Sequence, residues 1–147
     1  MLLLTPAMSI SFNFSKFSDV YITLVPDAYI NADGGIELTR NKATESSARS
    51  VGRALYKERV LLWDNSTGRQ TVTDFTTHFS FIIKPLNNPS VDGFTFFIAP
   101  FNSAIPTNNT ASENLGLFSG ETTVTDSQNQ TLAVEFETYK NPWDSKC

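Results

Sequence analysis

The sequence contains a single cysteine, few basic residues and no long hydrophobic run, and each shortage excludes a class of protein. Because the only cysteine is Cys147, the chain cannot form an internal disulfide framework or a multi-thiolate zinc site. The longest apolar runs fall far short of the roughly 20 residues that a helix needs to cross a bilayer. We therefore expect no transmembrane helix.

Positive charge is scarce, since 11 lysines and arginines stand against 15 aspartates and glutamates, giving a net charge of -4. This balance lacks the basic surface that binds a phosphate backbone, so we expect no nucleic-acid partner. The chain is instead rich in hydrophobic (40%) and aromatic (12%) residues, which indicates a folded domain. Its 147 residues fit one domain, or part of an all-β domain of roughly 200–250 residues.

Apolar residues recur at every second position, and Gly, Pro, Asn and Asp bound the apolar stretches. This pattern is typical of short antiparallel strands, so we predict an all-β sandwich or barrel. Residues 75–83 have one apolar face, and residues 93–100 are apolar on both faces, as in a central strand. The sequence at 31–35 predicts a hairpin turn. Further short strands are predicted at 10–14, 29–31, 36–39, 54–56 and 60–63.

The N-terminal segment 1–8 is apolar and includes small residues, so it is either the remnant of a signal peptide or no targeting segment at all. The chain also contains sequons of the form Asn-x-Ser/Thr, which are N-glycosylation acceptors in secreted proteins. Their asparagines are Asn13, Asn65, Asn108 and Asn129. The sequons favour a secreted glycoprotein.

The segment 131–144 contains the candidate metal-binding or catalytic side chains Glu135, Glu137, Asn141 and Asp144. As a strand, it places Glu135 and Glu137 on one face and its larger apolar residues on the other. Two carboxylates roughly 7 Å apart repel each other, so a cation, a shared proton or full solvation must relieve the cost. Asn141 and Asp144 add hard oxygen ligands that suit calcium or a similar divalent ion. The alternative is a solvated polar face followed by an ordinary turn.

The same carboxylates also allow a catalytic interpretation. Retaining glycosidases use two carboxyl groups about 5–5.5 Å apart as nucleophile and acid/base. Some glucanases of sandwich fold carry three acids at alternate positions of one strand. Here the series ends at Glu137, because the next residue on that face is Tyr139. A glycoside hydrolase that uses Glu135 and Glu137 is therefore a second hypothesis, from a different functional class.

Four blocks of the sequence, in this order, resemble the legume lectin family: residues 11–17, 51–64, 91–100 and 133–144. Residues 115–118 add to the resemblance, which extends from Ser9 almost to the end of the chain. It implies a concanavalin-like jelly-roll β-sandwich, with residues 9–147 as a partial domain that is truncated at the C-terminus. It also implies non-catalytic carbohydrate binding that depends on Ca²⁺ and Mn²⁺.

The resemblance assigns roles to residues of the last block. Glu135 looks like the acid that binds manganese, and Glu137 occupies the position of an aspartate that bridges both ions. Tyr139 would provide its backbone carbonyl to calcium, Asn141 its side-chain oxygen, and Asp144 a second bridging carboxylate. Glu137 is longer than aspartate, and the chain ends before the histidine that the family supplies to manganese. We therefore expect calcium to be retained in preference to manganese.

The resemblance also implies a shallow sugar site above the calcium. There Asp92 would accept hydrogen bonds from two sugar hydroxyls, Asn141 would donate one, and the Tyr139 ring would stack on the pyranose. Glu113 lies in the second sugar loop, which is usually Gly-rich so that a backbone N–H can approach the ligand.

The resemblance further implies a plant protein that is secreted to the extracellular space or stored in the vacuole, and that is expected to pair into homo-oligomers through its back sheet. Within the same fold, an alternative is a storage, defence or receptor extracellular domain that has lost sugar binding.

Overall fold

The computed structural model describes residues 10–40, 50–64, 68, 71–84, 93–105, 115–118 and 130–138. These ranges contain eight β-strands and no helix: β1 (Ile22–Pro26), β2 (Tyr29–Ile30), β3 (Ile36–Glu37), β4 (Gly52–Tyr56), β5 (Trp63–Asp64), β6 (Thr71–Val72), β7 (Gly93–Ile98) and β8 (Leu132–Glu137). The all-β prediction is confirmed. Within the same ranges, no helix could span a membrane.

All strand pairs in the described ranges are antiparallel. β1 pairs with β4, β2 with β3, β5 with β6, and β7 with β8. The two longer pairs are β1–β4 and β7–β8, and each carries apolar side chains that pack on neighbouring loops. In β1, Ile22 is the most buried apolar residue described, at 7% exposure.

The hairpin turn predicted at residues 31–35 is confirmed between β2 and β3. Asn31 Oδ1 accepts hydrogen bonds from the backbone N–H groups of Asp33 (3.1 Å) and Gly35 (2.9 Å). Gly34 has φ +86°, a left-handed conformation that glycine adopts without a Cβ penalty. The side chain of Asn31 therefore closes the turn that its sequence neighbours permit.

Residues 73–84 form no strand, so the strand predicted at 75–83 is wrong as a hydrogen-bonded element. The predicted apolar face is nonetheless present. The Phe79 ring lies 5.4 Å from the Phe96 ring, and the Phe81 ring lies 4.7 Å from the Phe94 ring. Ile82, which points the other way, is 79% exposed. The period-two pattern thus reports side-chain direction, whereas a strand also requires a partner for its backbone.

The strand predicted at residues 10–14 is also absent. Its aromatic residues instead cover the β1–β4 pair, since the Phe12 ring lies 4.3 Å from the Tyr56 ring. Conversely, β1 was not predicted, although its Ile-Thr-Leu-Val sequence is rich in strand-forming residues. Tertiary packing, rather than local propensity, decides which of these apolar segments becomes a strand.

Candidate functional site

The β7–β8 pair carries the two candidate metal ligands that the structure describes. The register places Glu137 opposite Gly93 and Glu135 opposite Thr95. Residues that lie opposite each other in an antiparallel pair share a face of the sheet. Both glutamates therefore lie on one face, and the alternation predicted for this segment is confirmed along β8.

The other face of β8 is anchored by aromatic packing. The Phe136 ring lies 5.0 Å from the Phe81 ring, 5.8 Å from the Phe94 ring and 6.0 Å from the Phe79 ring. These contacts fix which way β8 faces, since a rotation of the strand would expose Phe136. Consequently they direct the Glu135 and Glu137 side chains to the opposite face, where both are exposed.

A buried hydroxyl lies on the same face as the glutamates. Thr95, directly opposite Glu135, has its Oγ1 atom buried, with no hydrogen-bond partner in the described part of the chain. Leaving such a group unsatisfied costs about 1–3 kcal/mol.

The remaining predicted site residues lie outside the described ranges: Asp92, Glu113, Tyr139, Asn141 and Asp144, together with the sequons at Asn65, Asn108 and Asn129. Within the described ranges, no three acidic, histidine or cysteine side chains gather as a metal cluster. Of the sequons, Asn13 is described and is exposed, as a glycan acceptor must be.

Arg53 is a buried residue that sequence reasoning did not single out. It lies on β4 with 5% exposure, and its guanidinium Nη2 donates a hydrogen bond to the Gly116 carbonyl. The same guanidinium lies 5.2 Å from the centre of the Phe97 ring on β7. Burial lowers the pKa of Arg53. The signal in the sequence is an arginine inside an otherwise apolar strand, and its partners are too distant in the chain to predict.

Asp27 lies between β1 and β2 and binds residues on both sides of segment 41–49, which is outside the described ranges. Its carboxylate accepts hydrogen bonds from Ser50 Oγ (2.9 Å), the Val51 N–H (3.1 Å) and Arg40 Nη2 (3.0 Å). Burial raises the pKa of Asp27, but the hydrogen bonds from Ser50, Arg40 and Val51 and the charge of Arg40 outweigh it. The pKa therefore lies below its usual value.

Comparison with known proteins identifies the family. A model of the legume lectin domain matches residues 9–146. Anti-H(O) lectin 1 of Cytisophyllum sessilifolium is 43% identical over 143 residues, covering 92% of this chain and 56% of that protein. The mannose/glucose-specific lectin of Centrolobium tomentosum is 43% identical over 144 residues, covering 92% and 57%. A lectin-related protein of Cladrastis kentukea is 39% identical over 141 residues, covering 92% and 46%.

The chain spans about half the length of the curated relatives it matches. The family match covers nearly all of the chain, and the antiparallel strands agree with the all-β architecture of that family. The chain belongs to the legume lectin family, and its fold is of the jelly-roll β-sandwich type.

Proposed function

We propose that the chain binds carbohydrate without catalysis and requires calcium to do so. Two relatives are named as mannose/glucose-specific and mannose-specific lectins, which supports this function. The observation that carries the proposal is the register that sets Gly93 opposite Glu137. Because Gly93 directly follows Asp92, the candidate sugar-binding acid immediately precedes the strand paired with the candidate metal-binding strand.

In the proposed metal site, Glu135 and Glu137 provide carboxylates, Tyr139 a backbone carbonyl, Asn141 an amide oxygen and Asp144 a second bridging carboxylate. These are the hard oxygen donors that calcium prefers. When bound, the ion supplies the positive charge that relieves repulsion between carboxylates on one sheet face. Ligation by Tyr139 and Asn141 would also order the segment after β8 before a sugar arrives, which reduces the entropy lost on binding.

Manganese binding is expected to be weaker than in a site with aspartate at position 137. The extra methylene of Glu137 moves the carboxylate by roughly an ångström, whereas metal–ligand distances hold to about 0.2 Å. Calcium tolerates variable carboxylate geometry, but a second ion that shares this carboxylate has less freedom. The proposed site therefore keeps calcium in preference to manganese.

The proposed sugar site combines an acceptor, a donor and an aromatic surface. Asp92 accepts hydrogen bonds from two sugar hydroxyls, Asn141 donates one, and the Tyr139 ring covers the apolar face of the pyranose. In the second loop, Glu113 brings a side chain and a charge to a position that is usually glycine, and a shallow site tolerates neither well, so we expect it to restrict the sugars that fit. Loss of sugar binding, as in a storage, defence or receptor domain, is the competing outcome.

We also propose that the protein enters the secretory route, for secretion or vacuolar storage, and that copies pair through the back sheet. Exposure of Asn13 supports glycosylation at its sequon. Production in a eukaryotic secretory host should give a chain whose mass falls on enzymatic removal of N-glycans. Asn13→Gln should remove part of that shift, and an unmodified chain would contradict the proposal.

A binding screen on immobilised mono- and oligosaccharides, run with calcium and again with EDTA, tests the function. The screen includes mannose and glucose because one relative is named as a mannose/glucose-specific lectin. We expect binding that EDTA abolishes, with no release of reducing sugar in a parallel assay. Release that requires Glu135 and Glu137 would support the hydrolase, and absence of both signals would support a family member without sugar binding.

A further inference from the structure

Three segments of the described chain meet at the buried guanidinium of Arg53. The first is β4, which carries Arg53, and the second is β7, whose Phe97 ring lies 5.2 Å from the guanidinium carbon. The third is the turn at residues 115–118, where Arg53 Nη2 donates to the Gly116 carbonyl. Arg53 and Gly116 are 63 residues apart, so this contact is purely tertiary.

The turn that Arg53 contacts has an unusual backbone. Leu115 has φ +43° and Gly116 has φ +76°, so two successive residues are left-handed. Glycine adopts this conformation readily, but for leucine it costs roughly 1–2 kcal/mol. Such a residue persists only where surrounding contacts hold it. The hydrogen bond from Arg53 to the next peptide carbonyl is the contact that the structure shows.

General stability does not account for a buried arginine at this position. Burial of a charged group is expensive, and replacement of buried charges by well-packed apolar residues is often neutral or stabilising. The cost is visible here, since Arg53 Nε is buried with no hydrogen-bond partner among the described residues. The contacts that offset this cost are the hydrogen bond to the Gly116 carbonyl and the packing on the Phe97 ring.

We propose that Arg53 is a positioning residue that fixes the 115–118 turn relative to β7. Leu115 follows Glu113 by two residues, and β7 begins directly after Asp92, so Arg53 contacts both segments that lead to candidate sugar-binding residues. Arg53 thereby sets the spacing between the 115–118 turn and β7, and we expect this spacing to affect sugar binding although Arg53 itself does not contact the sugar. The link to sugar rests on the carbohydrate-binding function proposed above.

Hydrogen exchange of the full chain tests the positioning role in Arg53→Met and Arg53→Lys. The control is Arg59→Met, because Arg59 also lies over a phenylalanine ring, 5.0 Å from the centre of Phe101, but is exposed. In Arg53→Met we expect amides of 115–118 to exchange about tenfold faster, with β4 and β7 amides little changed. Arg53→Lys should recover part of the protection because its ammonium group can donate to the carbonyl.

Unchanged exchange in the turn, or equally faster exchange in β4 and β7, would overturn the positioning role. If Arg53→Met does not fold, Arg53→Lys still tests the proposal. The amides of residues 115–118 must then exchange faster in Arg53→Lys than in Arg59→Met.

The second part of the test compares the sugar affinity of the wild type and Arg53→Met, with mannose or the saccharide that binds tightest in the screen. We expect Arg53→Met to weaken its binding about tenfold, the scale of a misplaced polar contact, while calcium affinity stays at the wild-type value. A looser turn with unchanged sugar affinity would refute the link to the site. If the wild-type chain binds no sugar, the proposed function fails, while the exchange experiment still decides the role of Arg53.

Discussion

Glu137 differs by one methylene group from the aspartate that the family resemblance places at its position. Glu137→Asp should therefore raise calcium affinity measurably, and Glu137→Ala should lower it roughly tenfold or more, since a ligand is removed. Calorimetric titration of the metal-stripped chain measures both changes. The exposed Glu58, which is not a candidate ligand, provides the control Glu58→Asp. Tight binding of both calcium and manganese by the wild-type chain would contradict the role given to Glu137.

Asp27 should make the free energy of unfolding depend on pH. Its pKa is lowered on folding, so its carboxylate stabilises the fold above its unfolded pKa, and this contribution is lost as pH falls through the folded value. Asp27→Asn should reduce the free energy of unfolding by about 1–2 kcal/mol at pH 7 and by less at pH 3. Denaturant titration at both pH values checks this. The exposed Asp74, as Asp74→Asn, should show neither effect; a loss in Asp27→Asn that is independent of pH would refute the account.

Residues whose position follows from local spacing can be predicted from the sequence, whereas residues whose role depends on distant partners cannot. Glu135 and Glu137 were placed on one face by strand alternation alone, and the register confirms it. Asp27 contacts Val51, 24 residues away, and Arg53 contacts Gly116, 63 residues away. Nothing in the neighbouring sequence marks such pairs, because the fold alone brings them together.

At the scale of elements, the segment 73–84 stabilises β7 and β8 through side chains rather than backbone pairing. Phe81→Ala should lower the free energy of unfolding by about 1–3 kcal/mol. This is less than for a fully buried phenylalanine, since Phe81 is 42% exposed. Ile82→Ala is the matched control, because Ile82 is 79% exposed and should change stability by no more than about 0.5 kcal/mol. Equal effects of the two variants in denaturant titrations would show that the aromatic cluster does not anchor the sheet.

The apolar pattern predicted side-chain direction more reliably than hydrogen-bonded strands. The sequence predicts packing on both faces for residues 93–100, and β7 within this range shows it, with Phe94 against Phe81 and Phe97 against Arg53. The pattern could not show that residues 73–84 lack a ladder partner, because pairing depends on which segments approach each other. The apolar pattern also does not predict β1, although the high strand propensity of the Ile-Thr-Leu-Val sequence before Pro26 indicates it.

At the scale of the whole molecule, the described framework consists of two strand pairs and the aromatic side chains that pack on them. The β1–β4 pair packs on Phe12 and Phe14, and β7–β8 packs on Phe79 and Phe81. Arg53 joins the two pairs, because it belongs to β4 and lies over Phe97 of β7. The framework therefore fixes β7 and β8 from both faces, with Phe79 and Phe81 on one face and Arg53 over Phe97 on the face that also carries Glu135 and Glu137.

The most direct test of this account is calorimetric titration of the tightest-binding sugar into the wild-type chain, Asp92→Asn and Asp74→Asn, each with calcium and with EDTA. The account predicts heat of binding for the wild type and Asp74→Asn in calcium only, and none for Asp92→Asn, whose thermal stability stays within about 1 kcal/mol of wild type. Sugar binding that survives in Asp92→Asn, or that persists in EDTA, would contradict the central claim that a calcium-ordered site next to β7 binds the sugar.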